Sequence, residues 1–492
     1  MGRTSHKSNA ALIGLVALSA SSSMTALAHE PAAREPAARE PAAFAGAVQE
    51  LDDDHDLSVA AVRELKAGGE PAAVAIREVW PTLSRKAQRR VLVALAALAR
   101  DHRSAVQCLF EAAHSPDEQI SEGAFVALQR AGPPGWDGLV ALLTDPDVGD
   151  RSAVLLARTE PDAAVGVLLD ALTEEGGDRR PVLRSALATA VQRAEESSEP
   201  TLRAWLDTNP PVSAVANAAL ALASIEEYAS VVASFIEYAA PRSDGFPTTW
   251  RLLRSAAAAG PSEFVDRWIQ SHLRSPKEWM LRQAAVDAIA ARGRRSDARI
   301  ALEDPYPRVR THAVRVLSND PDSMTLRATL ARKDPWPMVR AEAVMSLRSE
   351  PVATPIIVAA VDDAMSEVRA AAIEALSGAT HDQGWDRIYA HLQNRNEWPS
   401  VTAAAIEYVE AHCRIEAVDA LRGVALRAAS ASALTDDINN AARAIVALRV
   451  LDTAQAEAAL GQLRGSAGAS PTLKMALEEP LPRRRRCVPL AP

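Results

Sequence analysis

The sequence has 492 residues and a formal net charge of −9 at pH 7, and 48% of its residues are hydrophobic although only 4% are aromatic. A chain of this length forms either several compact domains or one long array of repeats. Small side chains such as alanine fill thin layers between helices, so the composition favours the array. The acidic balance argues against nucleic acid as a partner, because such binding depends on neutralising phosphates.

Residues 1–28 have the features of a secretory signal peptide. Basic residues precede the apolar run AALIGLVALSA, which is shorter than the about 20 residues that a membrane-spanning helix needs. Ala26 and Ala28 form the small-x-small pattern that signal peptidase accepts, so cleavage is predicted after Ala28. We therefore expect an exported protein, in the periplasm or outside the cell, whose mature chain has no transmembrane segment.

Residues 29–48 are predicted to form a spacer rich in proline, alanine and glutamate. The five-residue unit of EPAAREPAAREPAA carries one proline in each copy, and proline interrupts helices. The spacing of these prolines indicates a semi-extended segment without a chemical role.

The acidic run LDDDHDLS follows the spacer. Asp52, Asp54 and Asp56 have the spacing of the first three ligands of a calcium-binding loop. However, Leu57 stands where that loop requires glycine, and Arg63 stands where it requires the closing glutamate. A solvated helix start is therefore the better interpretation of this run.

Residues 49–270 are predicted to form divergent helical repeats. In SPDEQISEGAFVALQRAG, the apolar residues Ile120, Ala124, Phe125 and Leu128 lie on one face of a helix. The stretches NPPVSAVANAALALAS, AQRRVLVALAALA and DPDVGDRSAVLLA follow the same pattern more loosely.

Residues 271–410 contain the clearest repeats. DPYPRVRTHAVRVLSN, DPWPMVRAEAVMSLRS and DAMSEVRAAAIEALSG recur at nearly constant spacing, which is the signature of a helical solenoid. In the first two units, we expect Asp304 and Asp334 to cap a helix and Pro305 and Pro335 to occupy its first position.

The unit D-P-x-P-x-V-R-x-x-A-V-x-x-L resembles the HEAT repeat in its short bacterial form, which is also found in phycobilisome lyases. The resemblance is strong over 275–410 and weaker over 50–270 and 411–478. It implies an all-α fold, namely an α-solenoid (superhelix) of HEAT-like helix pairs with about 30 residues in each unit.

The resemblance also implies an inter-repeat ladder, in which acidic and basic residues of successive units bind each other. The residues at the ladder positions are Asp304, Arg310, Asp334, Arg340, Asp363 and Arg369. Asn396 and Thr402 replace both members in the next unit, so the ladder is expected to end there. An arginine row that binds an anionic ligand is the alternative interpretation.

Large side chains recur three places before the first apolar residue of each helical stripe. They are Tyr306, Trp336, Met365 and Trp398, with Trp279 one place out of register. The family commonly has a small polar residue at this position. The aromatic members Trp279, Tyr306, Trp336 and Trp398 are therefore candidates for binding a partner protein, because Trp and Tyr dominate interface hot spots. Alternatively, each ring covers the next inter-repeat turn.

After residue 410 the pattern loosens. Residues 411–480 are predicted to form degenerate C-terminal repeats or a cap, and 481–492 to form a basic disordered tail. Cys108 and Cys413 lie far apart in an elongated array, so we expect buried free thiols, with Cys487 accessible in the tail.

The sequence contains no HExxH, GxSxG, P-loop, GxGxxG or CxxC motif, and its histidines lack metal-ligand spacing. We therefore expect no catalytic residue, no metal and no cofactor. The predicted function is that of an exported, non-enzymatic scaffold or adaptor that binds another protein. The alternative is a HEAT-like enzyme, of lyase or oxidoreductase type, with an unrecognised site.

Overall fold

The computed structural model describes residues 40–53, 55–174, 180–243, 245–276, 278–379, 383–428, 433–466, 471–478 and 487. Helices are the only regular secondary structure in these ranges. None of the helices described combines the length and apolar character that crossing a bilayer requires. The predicted signal peptide, with Ala26 and Ala28, lies outside the described residues.

The helices follow one another as a series of packed pairs. In the first half they are α1 (Ala45–Gln49), α2 (His55–Ala67), α3 (Gly69–Val79), α4 (Arg85–Leu98), α5 (Arg103–Ala113), α6 (Glu118–Arg130), α7 (Pro133–Leu142), α8 (Gly149–Thr159), α9 (Pro161–Glu174), α10 (Arg180–Arg193), α11 (Glu199–Asp207), α12 (Val212–Leu222) and α13 (Ala229–Ala239).

In the second half they are α14 (Phe246–Ala256), α15 (Glu263–Leu273), α16 (Trp279–Ala291), α17 (Pro307–Val316), α18 (Met324–Lys333), α19 (Pro337–Ser346), α20 (Thr354–Ala360), α21 (Ser366–Ser377), α22 (Trp385–Gln393), α23 (Pro399–His412), α24 (Val418–Arg427), α25 (Thr435–Leu451), α26 (Ala454–Ser466) and α27 (Pro471–Glu478). A 3₁₀ helix, Arg295–Glu303, takes the place of the second helix between α16 and α17.

The pairs form two layers. In layer A, the even-numbered helices from α2 to α16 contact one another in succession, and the series continues through α17, α19, α21, α23 and α25. Layer B holds their partners, from α3 to α24. Because the contacts in layer A run without a break from α2 to α25, the divergent and the clear repeats form one stack. The predicted all-α solenoid of helix pairs is confirmed.

Small side chains bring neighbouring helices close together. Helix α12 is buried around most of its circumference, and its buried residues are mostly alanines. Alanine has the highest helix propensity and little volume, so it suits a helix that neighbours contact on several sides. Between the layers lie larger residues such as Val339, Val344 and Leu347, which are fully buried. Each such residue contributes about 1.5–3 kcal/mol of hydrophobic stabilisation.

The spacer predicted at 29–48 is wrong over its last part. Residues 29–39 lie outside the described chain, but Pro41–Phe44 form a 3₁₀ helix and α1 follows directly. Phe44 and Val48 are buried in the first unit. Large apolar side chains, which the EPAAR units lack, attach this part of the chain to the stack.

The acidic run at the start of α2 is bound by basic side chains of α4. Lys86 Nζ donates a hydrogen bond to the backbone oxygen of Asp52 (2.8 Å), and Arg90 Nη1 donates to that of Leu51 (2.8 Å). The side chain of Asp52 accepts a hydrogen bond from Ser84, which caps α4. Asp54 lies outside the described residues. The turn is therefore a packed contact between the first two units.

The cysteine prediction is wrong for two of the three residues. Cys413 and Cys487 form a disulfide, with their Cα atoms 5.6 Å apart and a sequence separation of 74 residues. Cys413 ends α23, and the backbone N–H of Cys487 donates to the oxygen of Val450 (2.9 Å), which brings residue 487 back against the stack. The predicted disordered tail is thus fixed at this residue. Cys108 is a buried free thiol, as expected.

Candidate partner-binding surface

The large side chains of the clear repeats stand at the starts of layer A helices. Tyr306, Trp336, Met365 and Trp398 are the N-cap residues of α17, α19, α21 and α23, and each has an extended backbone before the first helical turn. Trp279 is the first residue of α16. Stacking of the helices therefore places these residues along one edge of layer A.

The aspartates and prolines take different positions from those predicted. Pro307 and Pro337, rather than Pro305 and Pro335, occupy the first helical position, where a missing N–H costs little. Asp334 does not cap helical N–H groups. Its Oδ1 accepts a hydrogen bond from the N–H of the N-cap residue Trp336 (2.9 Å).

Asp304 and Asp363 do the same for the N-cap residues of their own units. Asp304 Oδ1 accepts from the N–H of Tyr306 (2.8 Å), and Asp363 Oδ1 accepts from that of Met365 (2.9 Å). These carboxylates have a second partner in the preceding unit, which draws them out of the capping position.

That second partner is an arginine of the preceding layer A helix. Arg310 donates from Nε and Nη2 to the two oxygens of Asp334, at 2.8 and 2.9 Å. Arg340 binds Asp363 in the same bidentate way, at 2.9 and 2.8 Å. Arg282 binds Asp304, at 2.6 and 3.0 Å, which adds a rung before the predicted ladder residues.

The arginine of each rung also donates a hydrogen bond to a backbone oxygen of its own unit. Arg310 Nη1 donates to the backbone oxygen of Asp304 (2.7 Å), and Arg340 Nη1 donates to that of Asp334 (2.9 Å). The side chains of Arg310 and Asp334 are only 10% and 3% exposed. Shielded bidentate pairs of this kind are stronger and more specific in geometry than ordinary surface ion pairs.

The ion pair between Arg340 and Asp363 changes the pKa values of both residues. Burial alone would raise the pKa of Asp363, but hydrogen bonds from Arg340 and from the N–H of Met365 hold it below its ordinary value. The hydrogen bond to Asp363 raises the pKa of Arg340. Both groups are therefore charged at neutral pH, and the arginines are engaged by carboxylates. This arrangement leaves the alternative, an arginine row for an anionic ligand, without unpaired arginines at Arg310 and Arg340.

The ladder extends one residue further than predicted. Arg369 binds Glu397 rather than Asn396, with its Nη2 2.5 Å from Glu397 Oε1. The longer glutamate side chain reaches the arginine from one position later in the sequence. At the following step Thr402 replaces arginine, and its buried hydroxyl has no hydrogen-bond partner within the described residues. The ladder therefore ends at Thr402 alone.

The candidate aromatic residues divide into two groups. Trp279 and Tyr306 are half-buried and stack on each other, with ring centroids 4.6 Å apart, and Arg308 lies over Trp279. This is the arrangement that the alternative interpretation describes, in which rings cover an inter-repeat turn. Trp336 and Trp398, in contrast, are 51% and 63% exposed.

Two exposed methionines accompany these two tryptophans along the edge of layer A. Met365 lies between them in the stack, and Met338 lies in the first turn of α19 beside Trp336; both are about two-fifths exposed. We call Trp336, Met338, Met365 and Trp398 the exposed row. Sequence reasoning did not identify Met338, although its place directly after the first helical proline indicated a solvent-facing position.

Among the residues that the structure describes, no group of three His, Cys, Asp or Glu side chains could hold a metal ion. His391 Nδ1 donates a hydrogen bond to Glu397 Oε2 (2.6 Å) and thus belongs to the last rung.

Sequence comparison identifies the repeats. The family model for HEAT repeats matches residues 296–377. This stretch consists of HEAT repeats. It contains two complete bidentate rungs, from Arg310 and Arg340, so the matched HEAT repeats are also the most regular part of the ladder. No curated protein sequence matches the chain.

Among the solved structures to which the chain is similar are two of the same karyopherin, which is a longer protein. The karyopherin Kap121p bound to the SUMO protease Ulp1p is 12% identical, with a TM-score of 0.46 over 87% of this chain and 58% of the karyopherin. Kap121p bound to Ste12p is 11% identical, with a TM-score of 0.47 and the same coverage. The chain thus spans less than two thirds of the length of these karyopherin structures.

Proposed function

We propose that this protein is an exported, non-enzymatic scaffold that binds another protein through the exposed row. The observation that carries the proposal is the clustering of Trp336, Met365 and Trp398 on successive units, each more than a third exposed. Large apolar side chains that lie together on a surface mark interaction sites, whereas singly scattered ones need no explanation.

The ladder prepares this surface for binding. Asp334, Asp363 and Glu397 each accept a hydrogen bond from the backbone N–H of a residue in the row while they bind an arginine of the preceding unit. The backbone of the row is therefore fixed before a partner arrives. A pre-organised surface loses less conformational entropy on binding.

Export is supported by two independent features. The sequence begins with the pattern of a signal peptide, and the structure contains the Cys413–Cys487 disulfide. Structural disulfides persist in oxidising compartments and are rare in the cytosol. A periplasmic or extracellular location agrees with both features.

The test compares two single variants with a matched control. Trp336→Ala and Trp398→Ala should each lose a partner that the wild-type protein captures from the envelope fraction, while circular dichroism and thermal unfolding stay close to wild type. Val352→Ala is the control, because Val352 is 73% exposed but lies in the 3₁₀ helix before α20, away from the row. It should retain the partner.

Two results would contradict the proposal. If Trp336→Ala and Trp398→Ala unfold early, their rings serve packing rather than binding. If the purified protein contains stoichiometric iron or zinc, a HEAT-like enzyme becomes the better interpretation.

A further inference from the structure

A second surface lies in the divergent half of the stack, on helices α2, α4 and α6. These three helices are neighbours in layer A, and their outer side forms an open groove of about 750 Å³. We call it the basic groove. Its floor includes Leu92, Val93, Gly123 and Val126, and its rim includes Lys66, Arg89, Arg100 and Arg130.

The groove arises from one pattern that α4 and α6 share. On α4, Arg89, Val93 and Ala96 follow one another at helical spacing along the outer face, and Arg100 follows just after the end of the helix. On α6, the residues 30 positions later are Gln119, Gly123, Val126 and Arg130. Both stripes therefore have a polar start, a small or apolar middle and an arginine at the end. Stacking the two helices in register joins the middles into one floor and the ends into one basic edge.

The valine side chains of the floor are unusually exposed to solvent. Val93 is 62% exposed and Val126 is 37% exposed, although both stand in the middle of their helices. A Cβ atom at position 123 would lie 2.6 Å from Leu92 Cδ1, so the side chain of Leu92 lies against Gly123. Glycine weakens a helix relative to alanine, and here it makes room for the side chain of Leu92 between the two helices.

The rim carries positive charge that the rest of the fold does not use. Arg89 is engaged by Asp117, at 2.6 Å. Within the described residues, Lys66, Arg100 and Arg130 have no carboxylate at ion-pair distance, and all three are exposed. One carboxylate, Asp101, lies at the edge beside Arg100. Three unpaired cations therefore face one acidic group, in a chain whose net charge is negative.

The positions of these cations also have a simpler explanation. Lys66 and Arg130 lie in the last turns of α2 and α6, where a positive charge interacts favourably with the helix dipole. That effect accounts for single basic residues at helix ends. It does not account for Val93 and Val126, which face solvent between the two basic ends, or for Gly123.

We infer that the basic groove binds an acidic amphipathic helix of a partner protein. The apolar floor fits the apolar face of such a helix, with anchors at i, i+3, i+4 and i+7 over about two turns. Lys66, Arg100 and Arg130 then meet its flanking carboxylates. The groove has no aromatic side chain among its lining residues on which bases could stack, which argues against single-stranded nucleic acid as the occupant.

The test measures binding of a defined probe by fluorescence anisotropy. The probe is a labelled synthetic helix with leucines at the anchor positions and glutamates elsewhere, and its control has the same leucines with lysines. The full chain should bind the glutamate peptide, with an affinity that falls as salt rises, and should not bind the lysine peptide.

Two variants address the two parts of the groove. Arg100→Glu combined with Arg130→Glu should raise the dissociation constant by about tenfold or more, because it reverses the charge of the rim. Gly123→Leu should weaken binding by filling the floor without changing any charge, and it replaces glycine by a better helix former. Arg193→Glu is the matched control, since Arg193 ends α10 outside the groove. It should bind as wild type does.

Several results would overturn the inference. They are no binding of the glutamate peptide, equal binding of both peptides, or wild-type affinity in both groove variants. Binding of the chain to phosphatidylglycerol vesicles, with no binding of the peptide, would assign the groove to a membrane surface instead. Trp336→Ala should bind the peptide normally, so failure of the exposed row and failure of the basic groove are distinguishable.

Discussion

Helix α6 in the divergent half and helix α19 in the HEAT repeats use the preceding acidic residue in different ways. At α6, Asp117 is itself the N-cap, and its Oδ1 accepts hydrogen bonds from the N–H groups of Gln119 and Ile120. It also forms an ion pair with Arg89, whose side chain is 45% exposed. At α19, the acid lies two residues before the N-cap and binds a shielded arginine through both oxygens.

This difference explains how a row of large side chains can exist in one half. In the divergent half, the N-cap residues of α4 and α6 are Ser84 and Asp117, and their side chains accept hydrogen bonds from helical N–H groups. In α17, α19 and α23 of the clear repeats, proline occupies the first helical position and the N-cap side chain makes no capping hydrogen bond. The position becomes available to Trp336. Asp334 lies two residues before the N-cap of α19, so it binds Arg310 of the preceding unit instead of capping the helix, and the N-cap position is open to a large side chain.

The largest expected effect comes from breaking one rung. Asp334→Ala leaves Arg310 shielded and without its carboxylate, which should cost about 3–5 kcal/mol of the stability of the adjoining units. Asp117→Ala, the equivalent change at α6, removes a cap and an exposed ion pair and should cost only about 1 kcal/mol. Urea unfolding followed by circular dichroism measures both values. Equal losses would mean that the two halves are joined in the same way.

The second-largest effect should come from the Cys413–Cys487 disulfide, which lies at the C-terminal end of the stack and is the one disulfide among the described residues. Reduction, or Cys413→Ser, should lower the stability of the last units by about 2–4 kcal/mol, since the bond closes a long loop. Trp385 lies near this bond, with Arg414 over its ring at 4.9 Å. Its fluorescence should change on reduction.

Cys108 provides the control for that experiment. Burial raises the pKa of its thiol, so it should resist alkylation in the folded protein with or without reductant. Cys108→Ala should leave the response to reductant unchanged. If reduction alters neither unfolding nor the Trp385 signal, the bond does not stabilise the last units.

Acid should weaken the rung between Arg340 and Asp363. Burial opposes it, but Arg340 and the N–H of Met365 lower the pKa of Asp363 below its unfolded value. The stabilisation is present above the unfolded pKa and is lost as pH falls below about 4, through the lowered folded pKa. Hydrogen exchange should therefore show that α19 and α21 open more readily at pH 3 than at pH 5 in the wild-type protein. This difference between the two pH values should disappear in Asp363→Asn.

The smallest effect belongs to the divergent half and has the opposite pH dependence. The hydrogen bond to Asp145 raises the pKa of His114, with Nε2 2.8 Å from Asp145 Oδ2. This stabilisation is present below the unfolded pKa of histidine and is lost as pH rises through the raised folded value. Because the pair is partly exposed, the change should be below about 1 kcal/mol. Melting curves at pH 5.5 and 8.5 test it, with His114→Gln as the insensitive control.

Local features of the sequence determined much of this architecture. The apolar stripe at Val339, Val344 and Leu347, the breakers before each helix and the repeat spacing are all properties of short segments. They predicted helix pairs stacked as a solenoid, and this prediction depended on periodicity and turn chemistry, which require no knowledge of distant contacts. The ladder that includes Arg310 and Asp334 was expected from the resemblance to HEAT repeats.

Tertiary structure alone decided the remaining features. Pro335 and Pro337 are both compatible with the start of α19, and the choice depends on where the arginine of the preceding unit holds Asp334. Glu397 reaches Arg369 only because the units are stacked. Cys413 meets Cys487 because the chain returns across the end of the array. Whether a tryptophan is covered or exposed, and whether two arginine-ended stripes become one groove, depends on the neighbouring unit, which no single segment specifies.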